Sequence, residues 1–278
     1  MTYKLNPKIK KLFAEMRDTS TAFIIGSRMS SVTDAFWKMW NRRKRITRKE
    51  FAKLFEYGGI RYAPEIGTEA LPHLANELIA PLLLVFNYNC HIELCFSLCE
   101  TGYSSISYDG RFHNVITETD QPRCTILKPH GSSRLSEPPT SIVEPSETPD
   151  RNLSALSKFV EQIEKEEIAQ VVILAWSGNH DPYVEPYLQQ LKNDLGVRFI
   201  HVDKFRESFV PTTPYEWGIV ERGDVIQYLK DGATDFLVGF AKENADVDVP
   251  CTTLHNHPLL KINEHLAKHP LKSKRVAV

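Results

Sequence analysis

Two side chains capable of acid–base and hydrogen-bond chemistry stand directly behind apolar stretches of the chain. His130 follows the run CTILK at 124–128, and Asn87 follows the run LLLVF at 82–86. A histidine with a pKa near neutrality accepts a proton from a hydroxyl group or from water. An asparagine amide both donates and accepts hydrogen bonds, which suits a ribose hydroxyl or a second carboxamide. Both residues therefore have the chemistry of a polar ligand pocket.

Two further apolar stretches also lead into small and polar residues. The run AFII at 22–25 is followed by Gly26, Ser27, Arg28 and Ser30, and the run VVILAW at 171–176 is followed by Ser177, Gly178 and Asn179. Small residues that open a helix leave backbone N–H groups available to a phosphate. Ligands of open parallel sheets bind beyond the carboxyl ends of the strands, so the four strand ends predict one shared pocket.

Each of these residues also has a purely structural interpretation, because glycine, serine, asparagine and aspartate are what turns prefer. His130 would then be a surface turn residue bonded to a backbone carbonyl. Asn87 would be the N-cap of the helix over CHIELCF, a role that still leaves one face of its amide toward a pocket. Asp181 is interpreted as the cap of a helix that begins at Pro182, and not as a catalytic residue.

The apolar runs and the segments between them predict the architecture. Continuous apolar runs are typical of parallel strands that are covered on both faces. Such runs occur at 22–25, 82–86 and 171–176, and the largely apolar stretches at 124–128 and 197–202 are also predicted as strands. Helical periodicity separates several of them, and strands that alternate with helices indicate an α/β fold. We therefore expect a Rossmann-like parallel sheet with helices on both faces.

The length of 278 residues suits one large domain, or one domain with an insertion. We expect the main domain over residues 1–245. A helical stretch at 28–80 and a β-hairpin at 102–122 are the candidate parts of a small inserted module. Residues 246–278 are expected to form a C-terminal appendage.

Composition excludes several classes of protein. The chain has 34 lysines and arginines against 35 aspartates and glutamates, which argues against a dedicated nucleic-acid-binding protein. No stretch reaches the roughly 18 apolar residues of a membrane span, and the first residues lack the apolar core of a signal peptide. Five cysteines without a C-x-x-C pair indicate reduced thiols and no four-cysteine zinc module. We expect a cytoplasmic protein.

Residue spacing gives no support to metal or P-loop chemistry. The tail contains His255, His257, His265 and His269, but their spacing fits no zinc pattern. No glycine-rich loop is followed by Lys-Ser or Lys-Thr, so a P-loop nucleotidase is not expected.

The order of the motifs resembles the sirtuin-like family, and in particular the bacterial sirtuin-like NAD hydrolases of antiphage defence. That family shows a Gly-Ala-Gly-x-Ser turn, a Thr-Asn-Tyr-Asp stretch, a Leu-His-Gly stretch and a Ser-Gly-x-Asp-Pro stretch. The corresponding stretches here are the turn at 26–30, NYN at 87–89, KPHGS at 128–132 and WSGNHDPYV at 176–184. The resemblance spans residues 20–205 and covers four motifs in the same order, each at a strand end.

The resemblance implies that the ligand is NAD, which loses nicotinamide through a cation-like ribose centre and leaves ADP-ribose. Asn87 matches the catalytic asparagine, which orients the nicotinamide riboside or the attacking water. His130 matches the catalytic histidine, a general base or the activator of a ribose hydroxyl. The implied NAD-binding residues are Gly26, Ser27, Arg28, Ser30, Asn89, Gly131, Ser177, Gly178 and Asn179. The implied partners are a second copy of the chain or a separate defence-system protein.

Three departures from the family pattern support an alternative function. Arg28 replaces the second glycine of the first turn, where a side chain either crowds the pyrophosphate or pairs with it. Asn89 replaces an aspartate, and Val85-Phe86 replaces a threonine-rich lead-in. The alternative is a non-catalytic nucleotide-binding or interaction module of sirtuin-like fold that acts with a partner. The missing zinc cysteines argue against a protein deacylase.

Overall fold

The computed structural model describes residues 7–26, 66–87, 91–107, 112–115, 122–130, 150–179, 181–203, 212–226 and 232–247. The strands are β1 (Thr21–Ile25), β2 (Leu82–Val85), β3 (Tyr103–Ser107), β4 (Phe112–Val115), β5 (Cys124–Lys128), β6 (Gln170–Leu174), β7 (Arg198–Val202) and β8 (Val225–Ile226). The helices are α1 (Pro7–Arg17), α2 (Ile66–Asn76), α3 (His91–Leu98), α4 (Asp150–Lys165), α5 (Glu185–Asn193), α6 (Thr213–Glu216) and α7 (Ala233–Ala245). Two 3₁₀ turns, Pro182–Val184 and Arg222–Asp224, precede α5 and β8.

The described strands form one sheet of eight, in the order β4-β3-β5-β2-β1-β6-β7-β8. Every pairing is parallel except that of β3 with β4. The predicted α/β fold with a parallel sheet is therefore confirmed. The chain order reverses at β1, which pairs with β2 on one side and β6 on the other. Such a switch point opens a crevice beyond the strand ends.

Two apolar layers cover the central strands, because successive side chains of a strand point to opposite faces. Phe23 and Ile25 of β1 point into the layer with α1, α2, α3 and α7. Ala22 and Ile24 point into the layer with α4 and α5. Both faces of β1 and β2 are thus buried, as their continuous apolar sequences predict.

Some element boundaries differ from the predicted ones. β6 ends at Leu174 and not at Trp176, because Ala175 has φ +53° and turns the chain out of the sheet. Helix α1 and strand β8 were not predicted from the sequence. The strands of the predicted hairpin, β3 and β4, extend the main sheet through the pairing of β3 with β5.

The predicted domain boundaries stay predictions. Most of the 28–80 segment and all of 248–278 lie outside the described residues, and α2, at the end of that segment, packs in the main core. Within the described ranges, no helix is both long and apolar enough to cross a bilayer. Cys95, Cys99 and Cys124 are free among the described residues, and Cys90 and Cys251 lie outside them.

Candidate functional site

The pairing of β2 with β5 places Asn87 and His130 at neighbouring strand ends. Leu84 of β2 lies opposite Leu127 of β5. Asn87 and His130 each follow three residues later, so the two positions leave the sheet side by side at its carboxyl edge. The ring of Phe86, the residue before Asn87, makes an edge contact with the His130 ring at 5.1 Å between centroids. Their catalytic roles stay predictions.

His130 lies in a turn after β5, as the structural alternative has it, but it is buried and not on the surface. Only 6% of its surface is exposed. Its Nε2 atom lies 2.8 Å from Asp181 Oδ1 and 2.8 Å from the Tyr183 hydroxyl. The imidazole therefore packs against the Phe86 ring and makes polar contacts with Asp181 and Tyr183 at the end of β5.

Asp181 is the centre of this polar group. Its Oδ2 accepts a hydrogen bond of 3.0 Å from the indole N–H of Trp176, and its Oδ1 accepts one of 3.2 Å from the Tyr183 hydroxyl. Burial by itself would raise the pKa of the Asp181 carboxyl, but His130, Trp176 and Tyr183 together outweigh burial and hold that pKa below its ordinary value. Asp181 is thus an anion at neutral pH.

The interpretation of Asp181 as a helix cap is confirmed for its position and not for its side chain. The residue does occupy the N-cap position of the 3₁₀ turn that begins at Pro182, but its side chain makes no capping hydrogen bond. The carboxylate is turned instead toward His130, 51 positions earlier in the sequence. The one local signal for this contact is Trp176, an indole donor five residues before Asp181 that needs a buried acceptor.

Gly26 lies at the switch point between β1 and β6, where only glycine fits. Its N–H donates to the Leu174 carbonyl at 2.8 Å. A Cβ atom at Gly26 would overlap the backbone of Ala175 and Trp176. The glycine therefore lets the ends of β1 and β6 close together, and its own backbone is left at the edge where a ligand crevice is expected.

The loop after β6 is held by contacts on both sides. Gly178 has φ +75°, and a Cβ atom there would lie 3.1 Å from the Trp217 ring. The Asn179 carboxamide oxygen accepts a hydrogen bond from the Thr213 hydroxyl of α6. The Trp176 ring stacks on Phe86 at 5.2 Å between centroids and meets Trp217 edge-on. Ser177, Gly178 and Asn179 thus lie on the same sheet edge as His130.

A second buried histidine supports this loop from β7. His201 Nδ1 lies 2.9 Å from the Thr212 hydroxyl, and the ring also bonds to the Trp176 backbone. Burial lowers the pKa of His201 to about 4, although Asp203 and the Trp176 backbone oppose the shift. His201 is therefore a neutral structural residue. The sequence at 197–202 predicts the strand that carries His201 but indicates no role for the histidine.

Five predicted binding residues lie outside the described residues: Ser27, Arg28, Ser30, Asn89 and Gly131. The alternative that Asn87 caps α3 also depends on residues 88–90 and stays a prediction. In the part of the chain that the structure describes, no three His, Cys, Asp or Glu side chains are arranged to hold a metal ion.

A comparison with solved structures identifies the fold. A phenylalanine-to-alanine variant of a Sir2 homologue, in complex with ADP-ribose, aligns with a TM-score of 0.56 at 12% identity and covers 87% of this chain and 97% of that chain. A serine-to-alanine variant of a Sir2 homologue, also an ADP-ribose complex, gives a TM-score of 0.51 at 12% identity over the same shares. No family model and no curated protein matches the sequence. The resemblance to sirtuin-like proteins is thus confirmed for the fold: this chain has the α/β architecture of Sir2 proteins.

Proposed function

We propose that the chain binds NAD at the carboxyl edge of the sheet and hydrolyses it to nicotinamide and ADP-ribose. The observation that carries the proposal is the buried imidazole of His130, which an anionic Asp181 holds at the same strand ends as Asn87 and Gly26. Structures of the same fold contain ADP-ribose, one product of this reaction.

The expected reaction breaks the bond between the nicotinamide nitrogen and the ribose carbon. Nicotinamide leaves with the bonding electron pair as a neutral molecule. A water oxygen forms the new bond to the ribose carbon, and His130 accepts the proton that this water loses. The Asn87 amide orients the ribose or the water by hydrogen bonding, and the rigid edge around Gly26 holds the pyrophosphate. The net products are nicotinamide, ADP-ribose and a proton.

Nicotinamide release from NAD tests the proposal directly. Purified protein is incubated with NAD, and nicotinamide and ADP-ribose are quantified by chromatography, with His130→Ala and Asn87→Ala as inactive references. A His73→Ala variant is the matched control, since His73 is a half-buried histidine of α2 beside Cys99. We expect equimolar products from the wild type and the control, and a loss on the order of 10²-fold or more in both references.

The alternative is a nucleotide-binding module without turnover, which Arg28 and Asn89 motivate. Calorimetry with NAD and with ADP-ribose separates the two functions. Binding without nicotinamide release, in the presence of every activator tested, would establish the module and overturn the hydrolase. We further propose that the protein is an effector of antiphage defence that works as a homo-oligomer or with a separate protein, and light scattering of the purified chain tests the first of these.

A further inference from the structure

The Asp181 carboxylate determines where the proton of the His130 ring must be. An ionised carboxylate has lone pairs and no proton to donate. Nε2 of His130 lies 2.8 Å from Asp181 Oδ1, so a hydrogen atom must stand between them, and only the imidazole can supply it. Without that hydrogen, two lone pairs would face each other in a buried site.

The Tyr183 hydroxyl does not change this assignment. It lies 2.8 Å from His130 Nε2 and 3.2 Å from Asp181 Oδ1. If the hydroxyl donated to Nε2, then Nε2 would carry a lone pair toward the carboxylate as well. The consistent arrangement has Tyr183 donating to Asp181 and the Nε2–H of His130 pointing at both oxygens. The lowered pKa of Asp181 agrees with a carboxylate that receives several donors.

The geometry assigns the Nε2–H tautomer to neutral His130 and makes Nδ1 its basic atom, with Asp181 as the positioning residue. For catalysis this inference rests on the proposed function. The proton of the attacking water, or of a ribose hydroxyl, then goes to Nδ1, and the imidazolium that forms keeps its Nε2–H on the Asp181 anion. Asp181 orients the ring and stabilises its charged form.

Trp176 makes the Asp181→Asn variant informative. The buried indole N–H of Trp176 can only donate, so it requires an acceptor at the position of Asp181 Oδ2. In the variant, the carboxamide oxygen must therefore face Trp176, and its NH₂ group must face His130. That NH₂ donates to Nε2, which moves the ring proton to Nδ1. The variant keeps the shape of the site and inverts the tautomer.

The experiment uses the full chain labelled with ¹⁵N-histidine, with the His130 signals identified by their loss in His130→Ala. Imidazole ¹⁵N shifts report which nitrogen carries the proton, and nicotinamide release gives kcat. We expect Nε2–H in the wild type. We expect Nδ1–H in Asp181→Asn. Its kcat should fall by roughly 10²- to 10⁴-fold, the usual effect of losing a general base. Asp224→Asn, which breaks an ion pair with Arg198 at the amino end of β7, is the matched control and leaves both readouts unchanged.

A double variant separates the tautomer effect from a loss of folding. Trp176→Phe removes the indole donor and keeps an aromatic ring against Phe86. In Asp181→Asn/Trp176→Phe, the carboxamide is released to turn its oxygen toward His130, so the Nε2–H tautomer and part of kcat return. Unfolding midpoints of all variants are measured alongside.

The outcomes are distinguishable. An Nδ1–H tautomer in the wild type, or an unchanged tautomer and kcat in Asp181→Asn, overturns the inference. A wild type that releases no nicotinamide overturns the proposed function, while the ¹⁵N shifts still decide the tautomer.

Discussion

Two buried polar groups lie at the end of β5, and they are built in opposite ways. The first contains His130, where the Asp181 carboxylate meets N–H and O–H donors from three aromatic side chains. The second contains Lys128, two residues earlier, whose ammonium lies 2.9 Å from Glu93 Oε1 on α3. The Lys128 side chain is completely buried.

The two groups differ in how well their charges are satisfied. Several directional hydrogen bonds share the charge of Asp181, and they specify a protonation state. The Glu93 carboxylate meets one ammonium and a long contact of 3.5 Å from the Ser105 hydroxyl. Its Oε2 atom is buried without a hydrogen-bond partner among the described residues. An ion pair of this kind fixes the distance between two segments, here β5 and α3, and contributes little net stability.

Removing the ammonium should have the largest effect on stability. In Lys128→Met the Glu93 charge stays buried without its cation, so we expect a loss of roughly 3–5 kcal/mol in the free energy of unfolding. In Lys128→Met/Glu93→Leu both charges are gone, and most of that loss should be recovered. Urea unfolding at pH 7.5 measures both.

The surface pair of Lys158 with Glu161 on α4 is the matched control. It has a similar length, 3.0 Å, but both side chains are substantially exposed. Lys158→Met should therefore cost less than about 1 kcal/mol. If Lys128→Met costs no more than this control, burial does not set the strength of the pair and the comparison between the two groups fails.

The sequence predicts the sheet well because each central strand carries its own signal. β2 is apolar at every position and β1 at every position after Thr21, and this pattern has few interpretations besides a strand buried on both faces. The pairing of β2 with β5 skips β3 and β4 and was not predicted, but because it is parallel it brings Asn87 and His130 to one edge. For these strands, the apolar sequence and the buried position in the sheet agree.

The role of Asp181 could not be predicted, because the same residue fits a local pattern equally well. An aspartate before a proline and a helix is what capping favours. The contact that prevails is with His130, and nothing in the spacing of 51 residues indicates it. The end of β6 before Trp176 could not be predicted either. The chain turns at Ala175, which has φ +53°, and alanine rarely adopts this conformation.

Acid should lower the free energy of unfolding through His201, whose ring bonds to the Trp176 backbone at the carboxyl edge of the sheet. The pKa of His201 is about 4 in the folded chain against an ordinary 6.5. The unfolded chain therefore binds a proton first, and stability is complete above pH 6.5 and falls as the pH drops from 6.5 to 4. This difference corresponds to about 3 kcal/mol. The pKa of Asp181 is lowered from 3.8, so its contribution is lost only below that value and falls in a separate window.

Urea unfolding at several pH values from 7.5 to 4 tests this, with His201→Gln as the variant that cannot titrate. We expect His201→Gln to be less stable than the wild type at pH 7.5 and to show a flatter pH dependence between 6.5 and 4. His73→Gln should keep the part of the slope that His201 causes and lose only the part from His73, whose pKa is also lowered by burial. Equal slopes for wild type and His201→Gln would remove His201 as the cause.

The smallest effect is expected from Tyr183→Phe, and it tests why the His130 group tolerates the loss of a donor. The Asp181 carboxylate keeps the Trp176 indole N–H and the His130 Nε2–H when the hydroxyl is removed. We therefore expect a loss of about 1.5 kcal/mol in unfolding free energy, the lower end for a hydrogen bond to a charged group, because two donors remain. A loss near that of Lys128→Met would mean that the carboxylate depends on one partner, as Glu93 does. The small loss, with the tautomer of His130 unchanged, would mean that shared hydrogen bonds make this anion robust where a single ion pair is not.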